Sequence, residues 1–171
     1  MALVVAMKDR KAFGELVHRY QTLIRGLLLR MTGNAALADD LSQATFIQAH
    51  KKIGTYTGKG TFKGWLCRIA NSEFLQAKRK LKAADSVLEQ FRAHQDVNPQ
   101  ANRWDVGDVM DLDQALNQLS GQEKMAIVMC YSCGLSHAEA AEAMGYPLGT
   151  VKSHVNRGKQ KLRVLLEGAI E

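Results

Sequence analysis

Residues 149–163 contain five basic residues and no acidic one, in an order that suits contact with nucleic acid. The first of them stand among other hydrogen-bond donors, which can reach base edges when they begin a helix in the major groove. These candidate base-reading residues are Lys152, Ser153, Asn156 and Arg157. The basic residues farther along the same segment, which suit phosphate contacts, are Lys159, Lys161 and Arg163.

A Cys-x-x-Cys pattern at Cys130 and Cys133, with His137 four residues on, is a second candidate for chemistry. Such spacing occurs in zinc half-sites and in redox-active pairs. A zinc site needs a fourth ligand, but no second pair follows, and Cys67 belongs to a distant part of the chain. We therefore interpret the pair as two small, half-buried residues at a helix end, and we predict no metal and no cofactor.

Catalysis is not indicated by the other reactive side chains. The five histidines lack metal-ligand spacing, and neither a nucleophile elbow nor an acid pair in a pocket context is recognisable. The glycine-rich segment 54–61 is not followed by the Gly-Lys-Ser/Thr of a phosphate-binding loop. We predict that the protein is not an enzyme and has no small-molecule substrate.

The composition predicts a folded chain without a membrane-spanning segment. Hydrophobic residues make up 46% of the 171 residues, which is enough for packed cores. No apolar run approaches the roughly 20 residues of a membrane helix. The apolar residues at the start of the chain are not preceded by the basic segment that a signal peptide has. Three cysteines, an odd number, favour a reducing compartment. We therefore predict a cytoplasmic protein without membrane insertion.

Apolar residues recur at helical spacing through most of the chain, so we predict an all-α fold. Three helices are expected early in the chain, the third behind the glycine-rich loop with Thr61 as its N-cap. The pattern then weakens, and Asp, Gln and Asn accumulate as in a flexible linker. The predicted organisation is a first domain over 1–83, a linker over 84–108 and a second domain over 109–171. Charge follows this division, with 15 basic against 5 acidic residues in the first domain and 2 against 5 in the linker.

The second domain contains the pattern of a helix-turn-helix. Two capping boxes, Ser120-Gly-Gln-Glu123 and Ser136-His-Ala-Glu139, predict helix starts because each serine and glutamate satisfies an orphan backbone N–H. A short helix from the second box stops at Gly145, and Thr150 is expected to cap the last, basic helix. A short capped helix, a glycine-containing turn and a longer basic helix make this DNA-binding motif.

The stretch from Leu135 to Ser153 is similar to the C-terminal domain of extracytoplasmic-function sigma factors, which binds the minus-thirty-five promoter element. The shared pattern is Leu-Ser-x-x-Glu-x-Ala-x-x-Met-Gly-x-Pro-x-Gly-Thr-Val-Lys-Ser. The resemblance implies promoter contacts by the four base-reading candidates. Ala140, His154 and Gly158 depart from the residues usual at their positions. LuxR-type response regulators carry a comparable motif, so this stretch alone leaves two families open.

A stretch in the first domain separates these two families. Residues 38–49, Ala-Asp-Asp-Leu-Ser-Gln-Ala-Thr-Phe-Ile-Gln-Ala, resemble the sigma helix that docks on the clamp helices of RNA polymerase. On a helix an acceptor, an amide and an apolar side chain of this stretch share one face. The resemblance implies polymerase binding by Asp39, Asp40, Gln43 and Ile47. Ala44 stands where the family usually has a glutamate.

The glycine-rich loop and the helix behind it resemble the part of the family that reads and melts the minus-ten element. Holding an unpaired base requires a flat wall and nearby amide or backbone donors. The resemblance assigns base contact to Tyr56 together with Asn71 or Ser72, a choice that the sequence leaves open. It assigns strand contact to Lys59, Lys63 and Arg68. Trp65 has the spacing of a core residue.

The resemblance covers about residues 8–83 and 109–167. It implies an extracytoplasmic-function sigma factor whose partners are core RNA polymerase, promoter DNA and an anti-sigma factor. The alternative is a helix-turn-helix regulator that binds a palindrome without polymerase docking. A helical scaffold with no DNA contact would leave residues 149–163 unexplained.

Overall fold

The computed structural model describes residues 10–92 and 112–167, and every regular element in these ranges is helical, which confirms the predicted all-α class. In chain order the elements are α1 (Arg10–Thr32), α2 (Ala35–Lys52), a 3-10 turn (Ile53–Thr55), α3 (Phe62–Arg92), α4 (Leu112–Asn117), α5 (Gly121–Ile127), a π-helical turn (Val128–Ser132), α6 (His137–Met144) and α7 (Leu148–Glu167). None of the described helices is long and apolar enough to cross a membrane.

Helices α1, α2 and α3 pack on one another through their apolar faces. Gly33 ends α1 with a φ of 64°, a left-handed conformation that lets the chain reverse into α2. The Asn34 side chain then accepts the backbone N–H of Leu37 at 3.0 Å, which satisfies an orphan donor of α2. The large side chains that this packing buries fully include Ile24, Leu27, Leu28 and Leu66.

Helix α3 begins where the sequence predicts and continues farther than predicted. The Thr61 hydroxyl accepts the backbone N–H of Gly64 at 3.1 Å, as expected of an N-cap. The helix extends to Arg92, so residues 84–92 of the predicted linker are helical. Residues 93–108 lie outside the described residues, and the domain boundaries stay a prediction.

Both capping boxes of the second domain form. Ser120 and Glu123 exchange side-chain to backbone hydrogen bonds at 3.3 and 3.1 Å, and the same exchange starts α6. The predicted cap at Thr150 is wrong, since α7 already begins at Leu148. The Thr150 N–H donates to the carbonyl of Pro147 at 3.0 Å, so Thr150 already lies in the first turn. The fixed φ of Pro147 favours the start of the helix directly after it, without a hydroxyl cap at Thr150.

Helix α7 crosses α5 at Gly158. A Cβ atom on this residue would lie 2.8 Å from Cγ1 of Ile127, so a side chain is excluded there unless the helices move apart. Val151, Val155 and Leu162 are buried on the same face of α7. The apolar face of α7 is thereby fixed inward, and its basic residues are left facing solvent.

The two domains pack against each other, chiefly through α3 and α6. Among the described residues, three hydrogen bonds from nitrogen or hydroxyl donors cross between them: Lys63 Nζ to Gly134 O at 2.7 Å, Asn71 Nδ2 to Ala143 O at 3.1 Å, and the Thr61 hydroxyl to the Glu139 carboxylate. A Cβ on Gly64 of α3 would lie 3.6 Å from Cβ of Glu139, so the two helices nearly touch. We call this packing the interdomain contact.

Candidate nucleic-acid interfaces

The basic surface of α7 carries the residues that the sequence selected for the minus-thirty-five element. All six are exposed: Lys152, Ser153, Asn156, Arg157, Lys159 and Lys161. They lie opposite the buried face of the helix, and the four base-reading candidates occupy its first half. In a major groove this half would face base edges and the second half would face phosphates.

A buried carboxylate on α5, that of Glu123, positions two of these cations. It accepts a hydrogen bond from Lys161 Nζ at 2.8 Å, and Arg157 Nε lies 3.7 Å away. The bond from Lys161 is the main reason why the pKa of Glu123 is lowered, and its capping bonds with Ser120 lower it further. The sequence predicted Glu123 only as a cap, because no local pattern connects it with Arg157 and Lys161, which follow it by 34 and 38 positions.

Two other residues of this surface, and Arg157 again, have partners within the chain. The Ser153 hydroxyl donates to the carbonyl of Gly149 at 3.0 Å. The Arg157 guanidinium lies 3.1 Å from a ring nitrogen of His154, and Lys159 Nζ lies 5.8 Å from the centre of the Tyr131 ring. These are exposed, individually weak contacts that DNA could replace.

The glycine-rich loop and the first turns of α3 form one wall of a cavity of about 610 Å³. Four predicted minus-ten residues line this cavity: Tyr56, Lys59, Arg68 and Ser72. The opposite wall belongs to the second domain and contains Glu139, Glu142 and Ala143 of α6. In this arrangement α6 therefore forms one wall of the cavity proposed to hold an unpaired base, while Lys59, Arg68 and Ser72 stay exposed.

Tyr56 supplies a flat wall to the cavity. Its ring centre lies 5.5 Å from those of Phe62 and Trp65, and its hydroxyl donates to the carbonyl of Gly60 at 3.1 Å. Trp65, predicted as a core residue, is half-buried, so it packs on the core and also lines the cavity. The aromatic cluster holds the loop in place, and Tyr56 stays partly exposed at the cavity.

Asn71 and Ser72, which the sequence could not separate, have different environments. Asn71 is buried and donates to the carbonyl of Ala143 in α6. Ser72 is exposed and lines the cavity, and its hydroxyl accepts a hydrogen bond from Gln76 at 3.2 Å. Lys63 resembles Asn71, since it donates across the interdomain contact to Gly134. Of the six minus-ten candidates, four line the cavity and two hold the second domain.

The proposed docking surface of α2 lies apart from both DNA surfaces. Asp40, Gln43 and Ile47 are exposed on one face, and Ile47 is an apolar side chain that is 56% exposed. Asp39 is also exposed, but its carboxylate accepts a hydrogen bond from Arg25 Nε of α1 at 2.5 Å. A face with an acceptor, an amide and an apolar group is thus available for a partner.

The structure brings together two cysteines that the sequence assigned to different domains. Cys67 of α3 lies near Cys133, which follows the π-helical turn, and the interaction of the two thiols is the main reason why the pKa of Cys67 is raised and that of Cys133 is lowered. Cys130 is half-buried, and all three thiols are free. In the described ranges no three His, Cys, Asp or Glu residues are grouped so as to hold a metal ion.

Two protein-family models match the chain in the order of its two domains. The model of sigma-70 region 2 matches residues 16–84, and that of sigma-70 region 4 matches residues 110–162. The first includes α2, the glycine-rich loop and the start of α3. The second includes the helix-turn-helix.

Relatives match over most of the chain. The ECF RNA polymerase sigma factor SigE of Mycolicibacterium smegmatis is 35% identical over 157 residues, which are 89% of this chain and 60% of that protein. The ECF RNA polymerase sigma-E factor of Haemophilus influenzae is 30% identical over 178 residues, covering 92% of this chain and 89% of that protein. Among solved structures, the sigma factor RpoE of Bartonella quintana, in complex with the anti-sigma factor NepR, superposes with a TM-score of 0.74 at 27% identity, covering 92% of this chain and 98% of that one. The chain therefore belongs to the extracytoplasmic-function (ECF) sigma factors of RNA polymerase.

Proposed function

We propose that this sigma factor binds core RNA polymerase through α2 and contacts promoter DNA through one surface in each domain. The observation that carries the proposal is the separation of three surfaces on one chain. The exposed face of α2, the cavity beside Tyr56 and the basic face of α7 do not overlap, so polymerase and two promoter elements can be bound together.

The minus-thirty-five element is read by the first half of α7. Arg157 suits a bidentate contact with guanine, while Lys152, Ser153 and Asn156 suit other base edges. Lys159 and Lys161 neutralise phosphates and set the register of the helix on DNA. Glu123 of α5 pairs with Lys161 and Arg157 and so limits the orientations of their side chains.

The minus-ten element is held in the cavity after the DNA melts. Tyr56 provides a stacking surface for an unpaired base, and Ser72 is the neighbouring polar group. Lys59 and Arg68 bind the backbone of the strand. Since α6 forms the opposite wall of this cavity, separation of the domains would widen the access of a melted strand to it. That separation also frees Lys63 and Asn71 to contact DNA.

The site of action and a further partner follow from this role. The Bartonella relative was solved with an anti-sigma factor, and we propose a partner of that kind for this chain as well. Its work with polymerase on promoters places it in the cytoplasm. It acts as an initiation factor, and catalysis of RNA synthesis stays with the polymerase.

The experiment that tests this proposal is capture of sigma-free core polymerase by the tagged chain. Asp40→Lys with Gln43→Ala should abolish capture, because the change puts a positive charge on the docking face and removes its amide. Stability should change by only about 0.5 kcal/mol, since both residues are exposed.

The matched control is Glu15→Lys with Gln21→Ala, which makes the same change of charge on exposed positions of α1. It should still capture polymerase. Equal capture by both double variants would contradict the docking assignment. Tight binding of the wild type to a palindrome without polymerase would favour the helix-turn-helix regulator.

A further inference from the structure

Three residues at four-residue intervals along α3 all contact the second domain: Lys63, Cys67 and Asn71. The outer two donate hydrogen bonds to backbone carbonyls of that domain at 2.7 and 3.1 Å. Between them, the buried Cys67 lies close enough to Cys133 for the two thiols to shift each other's pKa. Bonds one helical turn away on either side hold this part of α3 against the second domain.

The surroundings of this pair limit how it can react. The side chain of Cys67 is fully buried and that of Cys133 is 4% exposed, so bulky reagents are excluded while the domains are packed. Lys63 bonds to the carbonyl of Gly134, the residue next to Cys133, and so fixes the backbone beside the second sulfur. Any bond formed between these sulfurs would join α3 to the helix-turn-helix domain.

The two thiols are electrostatically unlike. The interaction with Cys67 lowers the pKa of Cys133, and the positive charges of Lys63 and Arg30 act in the same direction. The same interaction, together with burial, raises the pKa of Cys67. A thiolate that attacks an oxidant and a neighbouring thiol that resolves the product are the two parts of a thiol redox pair.

We propose that Cys67 and Cys133 form an oxidative modification site, at which a peroxide converts the two thiols to a disulfide that joins the two domains. The third cysteine is the weaker nucleophile, because burial and, to a smaller extent, the neighbouring Cys133 raise the pKa of Cys130. A Cys130–Cys133 disulfide, which the sequence spacing suggests, would link nothing beyond one helix end.

The reaction balances with hydrogen peroxide as the oxidant. The Cys133 thiolate attacks one peroxide oxygen, an S–O bond forms, the O–O bond breaks, and hydroxide leaves and is protonated to water. The Cys67 sulfur then attacks the Cys133 sulfenic acid, an S–S bond forms, the S–O bond breaks, and the thiol proton leaves with the hydroxyl group as water. The two sulfurs lose two electrons, and the peroxide gains them.

The consequence for transcription rests on the proposed function. A disulfide would keep α6 fixed as the opposite wall of the cavity that contains Tyr56 and Ser72. It would also hold Lys63 and Asn71 in their bonds to the second domain, so that neither could contact DNA, whatever the affinity of polymerase for α2. Oxidation would thus convert the protein to an inactive form, and thiol reductants would restore its activity by reducing the disulfide.

Peptide mapping of the full chain tests the chemistry. The reduced protein is treated with stoichiometric hydrogen peroxide, quenched with iodoacetamide and digested without reductant. Trypsin releases Cys67 in residues 64–68, and chymotryptic cleavage after Tyr131 separates the other two cysteines. We expect a dithiothreitol-sensitive link between the peptides of Cys67 and Cys133, and alkylation of one thiol in place of three. A Cys130–Cys133 link, only intermolecular links, or no link would overturn the proposal.

Variants distinguish a specific pair from general oxidation. Cys130→Ser should keep the link, while Cys67→Ala and Cys133→Ser should each lose it. Helical circular dichroism checks that the buried substitutions fold, and the map of the wild type decides the proposal if they do not. A link that persists in Cys67→Ala would contradict the assignment.

Run-off transcription tests the consequence after the peroxide is removed by desalting. The oxidised chain should lose run-off product, dithiothreitol should restore it, and peroxide-treated Cys67→Ala should keep it. Full activity of a chain shown to contain the disulfide would refute the proposed loss of transcription on oxidation. A reduced chain that supports no transcription would instead count against the proposed function, and the peptide map would still decide the disulfide.

Discussion

Glu123 shows how much of this molecule is decided by single side chains. One carboxylate caps α5 through Ser120, receives Lys161, and lies near Arg157 of the recognition helix. It joins the local start of one helix to the DNA-facing side of another. Because the carboxylate is buried, it must stay paired, and its protonation therefore affects both the fold and the basic surface.

We expect Glu123→Gln to weaken the fold by about 1 kcal/mol at neutral pH, since Lys161 is half exposed and its pair is partly screened. The folded-state pKa of Glu123 lies below its ordinary value of 4.5. Its contribution is thus present above pH 4.5 and is lost as the pH falls through the folded-state pKa. Urea unfolding from pH 7 to 3 should show the gap between wild type and variant closing at the acid end. The exposed Glu142→Gln is the control, and a gap that persists unchanged in acid would contradict this role.

Substitutions in the two halves of α7 should affect DNA binding in different ways. Arg157→Ala should cost about 1–3 kcal/mol at one base pair and relax the preference there. Lys159→Ala should weaken all promoters alike and reduce the salt slope of binding by roughly one. Holoenzyme binding to promoter variants at several salt concentrations measures both. Unchanged base preference in Arg157→Ala would refute the division of the helix.

Residues that act through their neighbours in sequence were predictable, and those that act over long separations were not. The caps at Ser120, Ser136 and Thr61 are signatures within three residues. The cap expected at Thr150 failed because Pro147 can start a helix by its fixed backbone. The contact of Cys67 with Cys133 depends on how two domains pack, and no spacing rule connects residues so far apart in the chain.

Among the elements, α7 depends most on a close helix crossing. The crossing lies at Gly158, where the short distance to Ile127 leaves no room for a side chain. The element that the sequence placed least well is α3, which continues to Arg92 into the predicted linker. Weak apolar periodicity in that part of the chain is compatible with an exposed helix as well as with a linker.

Gly158→Ala should therefore destabilise the protein by about 1–3 kcal/mol, because the added methyl group overpacks against Ile127. Gly149→Ala on the same helix is the matched control, since nothing lies within 4 Å of its Cβ position. That change should be neutral or should stabilise by up to about 1 kcal/mol. Urea midpoints of the two variants give the comparison. Equal effects would show that the crossing is less tight than described.

In the whole molecule, the second domain packs beside one of the two surfaces that promoter recognition needs. The three hydrogen bonds of the interdomain contact join residues 71 to 78 positions apart, which is why sequence patterns do not reveal them. Each such bond contributes about 1 kcal/mol net. A partner bound with nanomolar affinity gains about 12 kcal/mol. Polymerase binding can thus offset the loss of these bonds when the domains separate.

Run-off transcription with sigma-free core polymerase directly measures whether this chain directs initiation. The reduced, purified chain is added to the core enzyme with genomic promoter fragments, and the new transcript starts are mapped. We expect starts that depend on the chain and share upstream elements at the minus-thirty-five and minus-ten positions. We also expect that Asp40→Lys with Gln43→Ala removes them. No new starts with active core enzyme, or starts that the double variant leaves unchanged, would contradict the proposed function.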